Sequence, residues 1–174
     1  MNNDLKNVVY TALLVSMALA VSLIEKMIPI PFVMPGAKLG LSNMVILVTL
    51  IMYGFGRGML VATLKSVLLM MIIGLGPSLI YSFVGAVFST IMMWISLKYF
   101  SEKSKIFSII GVSIIGAVSH NFAQITAASF ILKSPLIYTY YLPFLTLIAI
   151  VTGYFVGLGS YNVASHLKKI DILK

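Results

Sequence analysis

Cysteine is absent from the 174-residue chain. That excludes disulfides, thiolate metal sites and thiol nucleophiles. Acids are nearly absent too: Asp4, Glu25, Glu102 and Asp171 are the only four. None neighbours another and two lie near the ends, so no carboxylate pair serves acid–base work or magnesium. His120 and His166 are too few and too far apart to suggest a zinc site, so no metal and no cofactor is expected. No phosphate-binding glycine loop precedes a Lys-Ser/Thr pair, which excludes ATP hydrolysis by this chain alone. Charge of either sign is scarce, at 9% of residues. A soluble domain carries about 25%.

What is present is apolar: 60% of the chain. The reading is an all-α integral membrane bundle of six transmembrane helices in one domain, 1–174. The spans run over about 8–24, 39–53, 59–73, 79–98, 106–132 and 140–167. Ala18-Leu-Ala20 resembles a signal-peptide cleavage site, but the apolar run continues past it and reads as a retained span. Glu25, Lys26, Pro29, Pro31 and Pro35 are expected in a loop with an apolar floor, a candidate lid over a cavity. Gly54–Gly58 and Gly74–Pro77 read as turns. Trp94 and Tyr99 fit an interfacial aromatic belt.

The net charge of +8 does not imply nucleic-acid binding, because the basic residues lie mostly between apolar runs. Six spans put both termini on one side. With the termini cytoplasmic, Lys6, Arg57, Lys98, Lys103, Lys105, Lys168, Lys169 and Lys174 lie inside, and Lys26, Lys38 and Lys133 outside. That bias gives the expected orientation of a multi-pass cell-membrane protein.

Two stretches carry candidate chemistry. Pro35-Gly-Ala-Lys-Leu-Gly-Leu-Ser-Asn43 opens the second span. A helix start offers unpaired N–H groups and the positive end of the macrodipole. Lys38, Ser42 and Asn43 there suit an anionic or polar ligand. The plainer reading is a capped turn with a snorkelling lysine. In the fifth span, His120 and Gln124 are four apart and Asn121 and Gln124 three apart, so the three make one polar patch. Counting from Ile106 at about 1.5 Å per residue puts His120 roughly 21 Å into the span, beyond the midplane toward the outside. The patch either lines an outward cavity with Asn43 or makes interhelical hydrogen bonds without a ligand. Ser119 and His120 point about 100° apart on a helix and form no nucleophile–base pair. Lys65, inside the third span, either faces a cavity or snorkels toward the nearer interface. Ala12, Ser16 and Ala20 make a small-residue stripe for close helix approach, to another protein or within this one.

The 35–43 stretch, Lys65 and Gly-Ala-Val-Ser-His-Asn-Phe-Ala-Gln (116–124) together resemble the heptaprenyl diphosphate synthase component I family, also called the Gx transporter family. The resemblance runs from about Val8 to Gly159. Position 65 looks like arginine in that family and is lysine here, which lacks the bidentate fork. The family name implies a subunit of prenyl diphosphate synthesis. The aspartate-rich magnesium sites of prenyl transfer are absent, so the resemblance implies at most an accessory subunit. The size, span number and stripe are also similar to the substrate-binding S component of an energy-coupling factor (ECF) transporter. That likeness implies uptake of a small anionic or amphipathic molecule, with a transmembrane coupling subunit and ATPase subunits as partners. Ala12, Ser16 and Ala20 would dock the coupling subunit, and Pro29–Gly36 would be the lid. Lys38, Asn43, Lys65, His120, Asn121 and Gln124 would hold the ligand.

Overall fold

Backbone N–H and C=O groups find no water in hydrocarbon, so a spanning segment must close its own hydrogen bonds. The computed structural model describes residues 3–27, 40–103 and 108–169, and all their regular structure is helical. The order is α1 (Asn3–Met27), α2 (Asn43–Ile73), α3 (Pro77–Ile95), a π-helical stretch Ser96–Lys103, α4 (Ile109–Ile131) and α5 (Pro135–Lys169). Pro77 starts α3 where its missing N–H costs nothing. The Ser108 hydroxyl caps α4 by accepting from the Gly111 N–H at 3.2 Å.

Among the described residues five helices are long and apolar enough to cross a bilayer, where the sequence reading expects six. The difference lies at Gly54, where the expected second and third spans join as α2. Gly54 has φ 79° and ψ −174°, inside an otherwise helical element. That region is essentially open to glycine alone. The chain folds back there. Lys65 Nζ donates to Ser42 Oγ at 2.9 Å, across 23 residues. A straight helix would hold those positions about 34 Å apart. A Cβ on Gly58 would lie 2.4 Å from Leu50 Cδ2 and 3.7 Å from Leu50 Cα. Residues 43–53 and 55–73 are thus two arms of a helical hairpin. The first arm rises about 16 Å, half of what a bilayer asks. The expected five-residue turn is one residue, because Gly54 reverses the chain and Gly58 stays helical to let the arms touch.

The first arm is the centre of the bundle. Val45, Ile46, Leu47, Val48, Thr49 and Leu50 are all buried, the mark of a helix enclosed on every side. Small residues bring the other helices together. A Cβ on Gly153 would meet Ile114 Cα at 2.8 Å, and one on Gly157 would meet Ile110 Cα at 2.7 Å. So α4 and α5 pack nearly backbone to backbone. Ser89 Oγ donates to the Gly116 carbonyl at 2.9 Å and ties α3 to α4. Gly159, the third close-packing glycine of α5, instead sits against Met44 Sδ of α2.

One end of the bundle is basic and aromatic. Arg57 lies 4.7 Å over the Tyr53 ring, and Lys98 5.0 Å over Trp94. Phe55 packs against Trp94 with the rings tilted and their centroids 4.8 Å apart, so the Gly54 turn sits beside the end of α3. The start of α1 joins them: Tyr10, Tyr53 and Leu167 line one apolar groove.

Helix α1 packs chiefly on α2. It buries Val15, Ala18, Ser22 and Glu25 there. Ala12, Ser16 and Ala20 are exposed on another face. Glu25 and Lys26, expected in a loop, belong to the last turn of α1, because the helix continues to Met27.

Candidate polar site within the bundle

The reversal at Gly54 returns the second arm to the start of the first, at the end away from the aromatic belt. Each arm is about 11 residues from the tip at that level, which brings Lys65 to Ser42. Lys65 is 3% exposed. It does not snorkel to the Gly54 turn, because Ser42 Oγ and the charge of Glu25 hold it inside. Glu25, also 3% exposed, reaches across from α1 and accepts from the Gly40 N–H. Gly40 has φ 77°, a left-handed turn that turns its carbonyl to the Asn43 N–H at 2.9 Å. Three chain segments therefore meet at one buried charged junction.

Beside it lies a crevice of about 180 Å³ between α2, α4 and α5. Gly40, Asn43, Ala117, His120, Asn121, Ala149 and Thr152 line it. No part of it is wide enough for a water molecule, so a ligand enters only if the walls part. Asn43 is 4% exposed, and its Nδ2 has no hydrogen-bond partner among the described residues. A buried amide donor in that condition is costly, and a ligand oxygen would satisfy it. Asn121 Nδ2 donates to the Leu145 carbonyl at 2.9 Å, which fixes α4 to α5 just below the crevice. The His120 ring rests on α3 where Gly85 leaves room. A Cβ there would lie 2.9 Å from the His120 carbonyl oxygen and 3.1 Å from Cε1 and Nε2.

The sequence-predicted residues therefore divide. Asn43, His120 and Asn121 come together in the crevice. Gln124 is buried one turn along α4 and is not part of the lining. Lys65 stands at the adjoining charged junction. Lys38 and the expected lid over Pro29–Gly36 lie outside the described residues. Ser42, expected at the helix start, is here the partner of Lys65; sequence reasoning missed Glu25, Gly85 and Thr152 as parts of this centre. Glu25 had a signal, since an acid bordering an apolar span needs a partner. Gly85 and Thr152 had none, because only packing brings them to His120 and Asn43.

The side chains gathered here offer hydrogen bonds and one buried positive charge. Asn43, Asn121, Thr152 and His120 can exchange hydrogen bonds with a ligand, and Lys65 can face an anion. Among the described residues no three His, Asp or Glu side chains meet where a metal could bind. No curated protein and no solved structure matches the chain. A family profile does match, over residues 14–163, and the chain belongs to the heptaprenyl diphosphate synthase component I family.

Proposed function

We infer that this is a non-catalytic membrane component of prenyl diphosphate synthesis that binds a small polar or anionic molecule within its helical bundle. The family match carries the link to isoprenoid chemistry. The buried crevice at Asn43, His120 and Asn121, next to Lys65, supports binding as the task. Chemistry belongs to a partner subunit in this reading, since Glu25 accepts from the Gly40 N–H and no three metal-binding side chains meet among the described residues.

A second reading, uptake as an ECF S component, has its own support. Ala12, Ser16 and Ala20 are exposed along α1, open to a transmembrane coupling subunit whose ATPase partners would drive release. The first arm of α2 then counts as a short sixth span. The basic end with Lys6, Arg57, Lys98, Lys168 and Lys169 then faces the cytoplasm, and the crevice lies in the outer half.

Affinity purification from native membranes separates the two. Recovery of a soluble prenyl synthase subunit, with no ATPase, supports the first; recovery of coupling and ATPase chains supports the second. Native mass spectrometry of the detergent-purified protein tests binding itself. A bound mass lost in both His120→Ala and Asn43→Ala places the ligand in the crevice. Undiminished retention in both variants removes these residues from the site.

A further inference from the structure

The Glu25 carboxylate occupies the place where the anionic group of a ligand would be expected. The start of α2 presents the Gly40 N–H and the positive end of a helix. Lys65 supplies a buried cation one residue from Asn43, through Ser42 Oγ at 2.9 Å. Asn43 adds a buried donor with no partner among the described residues, facing the crevice. Together these make a cradle for a compact oxyanion, and an acid from α1 sits in it. Glu25 is two residues from Met27, the end of α1, and next to the exposed Lys26.

We propose that Glu25 is a built-in stand-in for the ligand, and that a carboxylate- or phosphate-bearing ligand takes its place at Gly40, Ser42 and Lys65 and so releases the end of α1 from α2. This deepens the binding reading above and rests on it. Occupancy of the cradle and the position of α1 become one equilibrium. The helix that carries the exposed Ala12, Ser16 and Ala20 stripe is then the element that reports an occupied site. The apparent affinity of the resting protein is lowered by the fraction of molecules whose cradle is open. If Glu25 fills it nine times in ten or more, removing its charge raises affinity about tenfold or more.

Inorganic pyrophosphate is the probe, with inorganic phosphate and acetate beside it, titrated into the full-length protein in nanodiscs. Glu25→Gln keeps an acceptor for the Gly40 N–H and removes the competing charge. It is expected to bind pyrophosphate at least tenfold more tightly than wild type and to melt higher when the probe is added. Lys65→Met, alone and combined with Glu25→Gln, is expected to bind none. A folded Glu25→Gln protein that binds no more tightly than wild type overturns the proposal. Should Glu25→Gln not fold, spin labels at Ile24→Cys and Ile73→Cys in the cysteine-free chain give the second measurement. Their separation widens at saturating pyrophosphate if α1 is released, and an unchanged distance overturns the proposal. Native mass spectrometry keeps the two readings apart. A His120-dependent bound mass in wild type with no gain in Glu25→Gln sinks the stand-in alone. No bound mass in wild type and no probe binding in any variant sinks the binding reading as well.

Discussion

Replacing Gly54 with alanine tests the hairpin that assembles the site. A Cβ at Gly54 meets nothing within 4 Å, so there is no clash to relieve. The cost is backbone conformation alone. With φ 79° and ψ −174°, Gly54 occupies a region where a non-glycine residue costs about 1–3 kcal/mol. Gly56 is the control two residues away. It also meets nothing within 4 Å, but it is helical. Alanine there is favoured by about 0.5–1 kcal/mol through backbone entropy. The two substitutions add the same methyl group to open space at the same turn. Their stabilities should nevertheless differ by about 1.5–4 kcal/mol, with Gly54→Ala the weaker. Trp94 is the only tryptophan and packs against Phe55 beside this turn, so its fluorescence reports the hairpin directly. Denaturant titration of both variants, followed at Trp94, is the assay. Equal stability of the two would refute the backbone reversal as the origin of the Lys65–Ser42 contact.

Gly85→Ala should cost about 1–3 kcal/mol by overpacking and shift His120, visible as weakened ligand retention against a Gly56→Ala control. Gly157→Leu places a large side chain where the first added carbon already lies 2.7 Å from Ile110 Cα, so α4 and α5 must separate. Thermal melting should show a loss above about 3 kcal/mol, and a near-neutral result would contradict the close packing. Lys65→Met leaves Glu25 without its buried cation and should cost about 3–5 kcal/mol. Adding Glu25→Gln to that variant should recover most of the loss, and a double-mutant cycle without coupling would show that the two charges do not interact.

Much of the site was legible because helix periodicity is a local property. His120, Asn121 and Gln124 share a patch by spacing alone, and Asn43 begins a helix because a glycine turn precedes it. What spacing could not give was depth and partner. Gln124 satisfies the spacing rule yet falls outside the crevice, one turn further along α4 from His120. Lys65 reads equally well as snorkelling or enclosed until the hairpin brings Ser42 to it. Glu25 reads as a loop acid until α1 is seen to run to Met27.

Scarce charge and long apolar runs fixed the membrane class and the helices, because hydrocarbon leaves the backbone no other way to satisfy itself. Composition also excluded thiol chemistry, since no cysteine is present. The tertiary structure alone decided that one glycine reverses the chain, that a half-length arm fills the middle of the bundle, and that Glu25 and Lys65 meet beside Asn43. Those facts join residues 15 to 40 positions apart. Distances of that kind are set by how helices pack, which no local pattern of residues encodes.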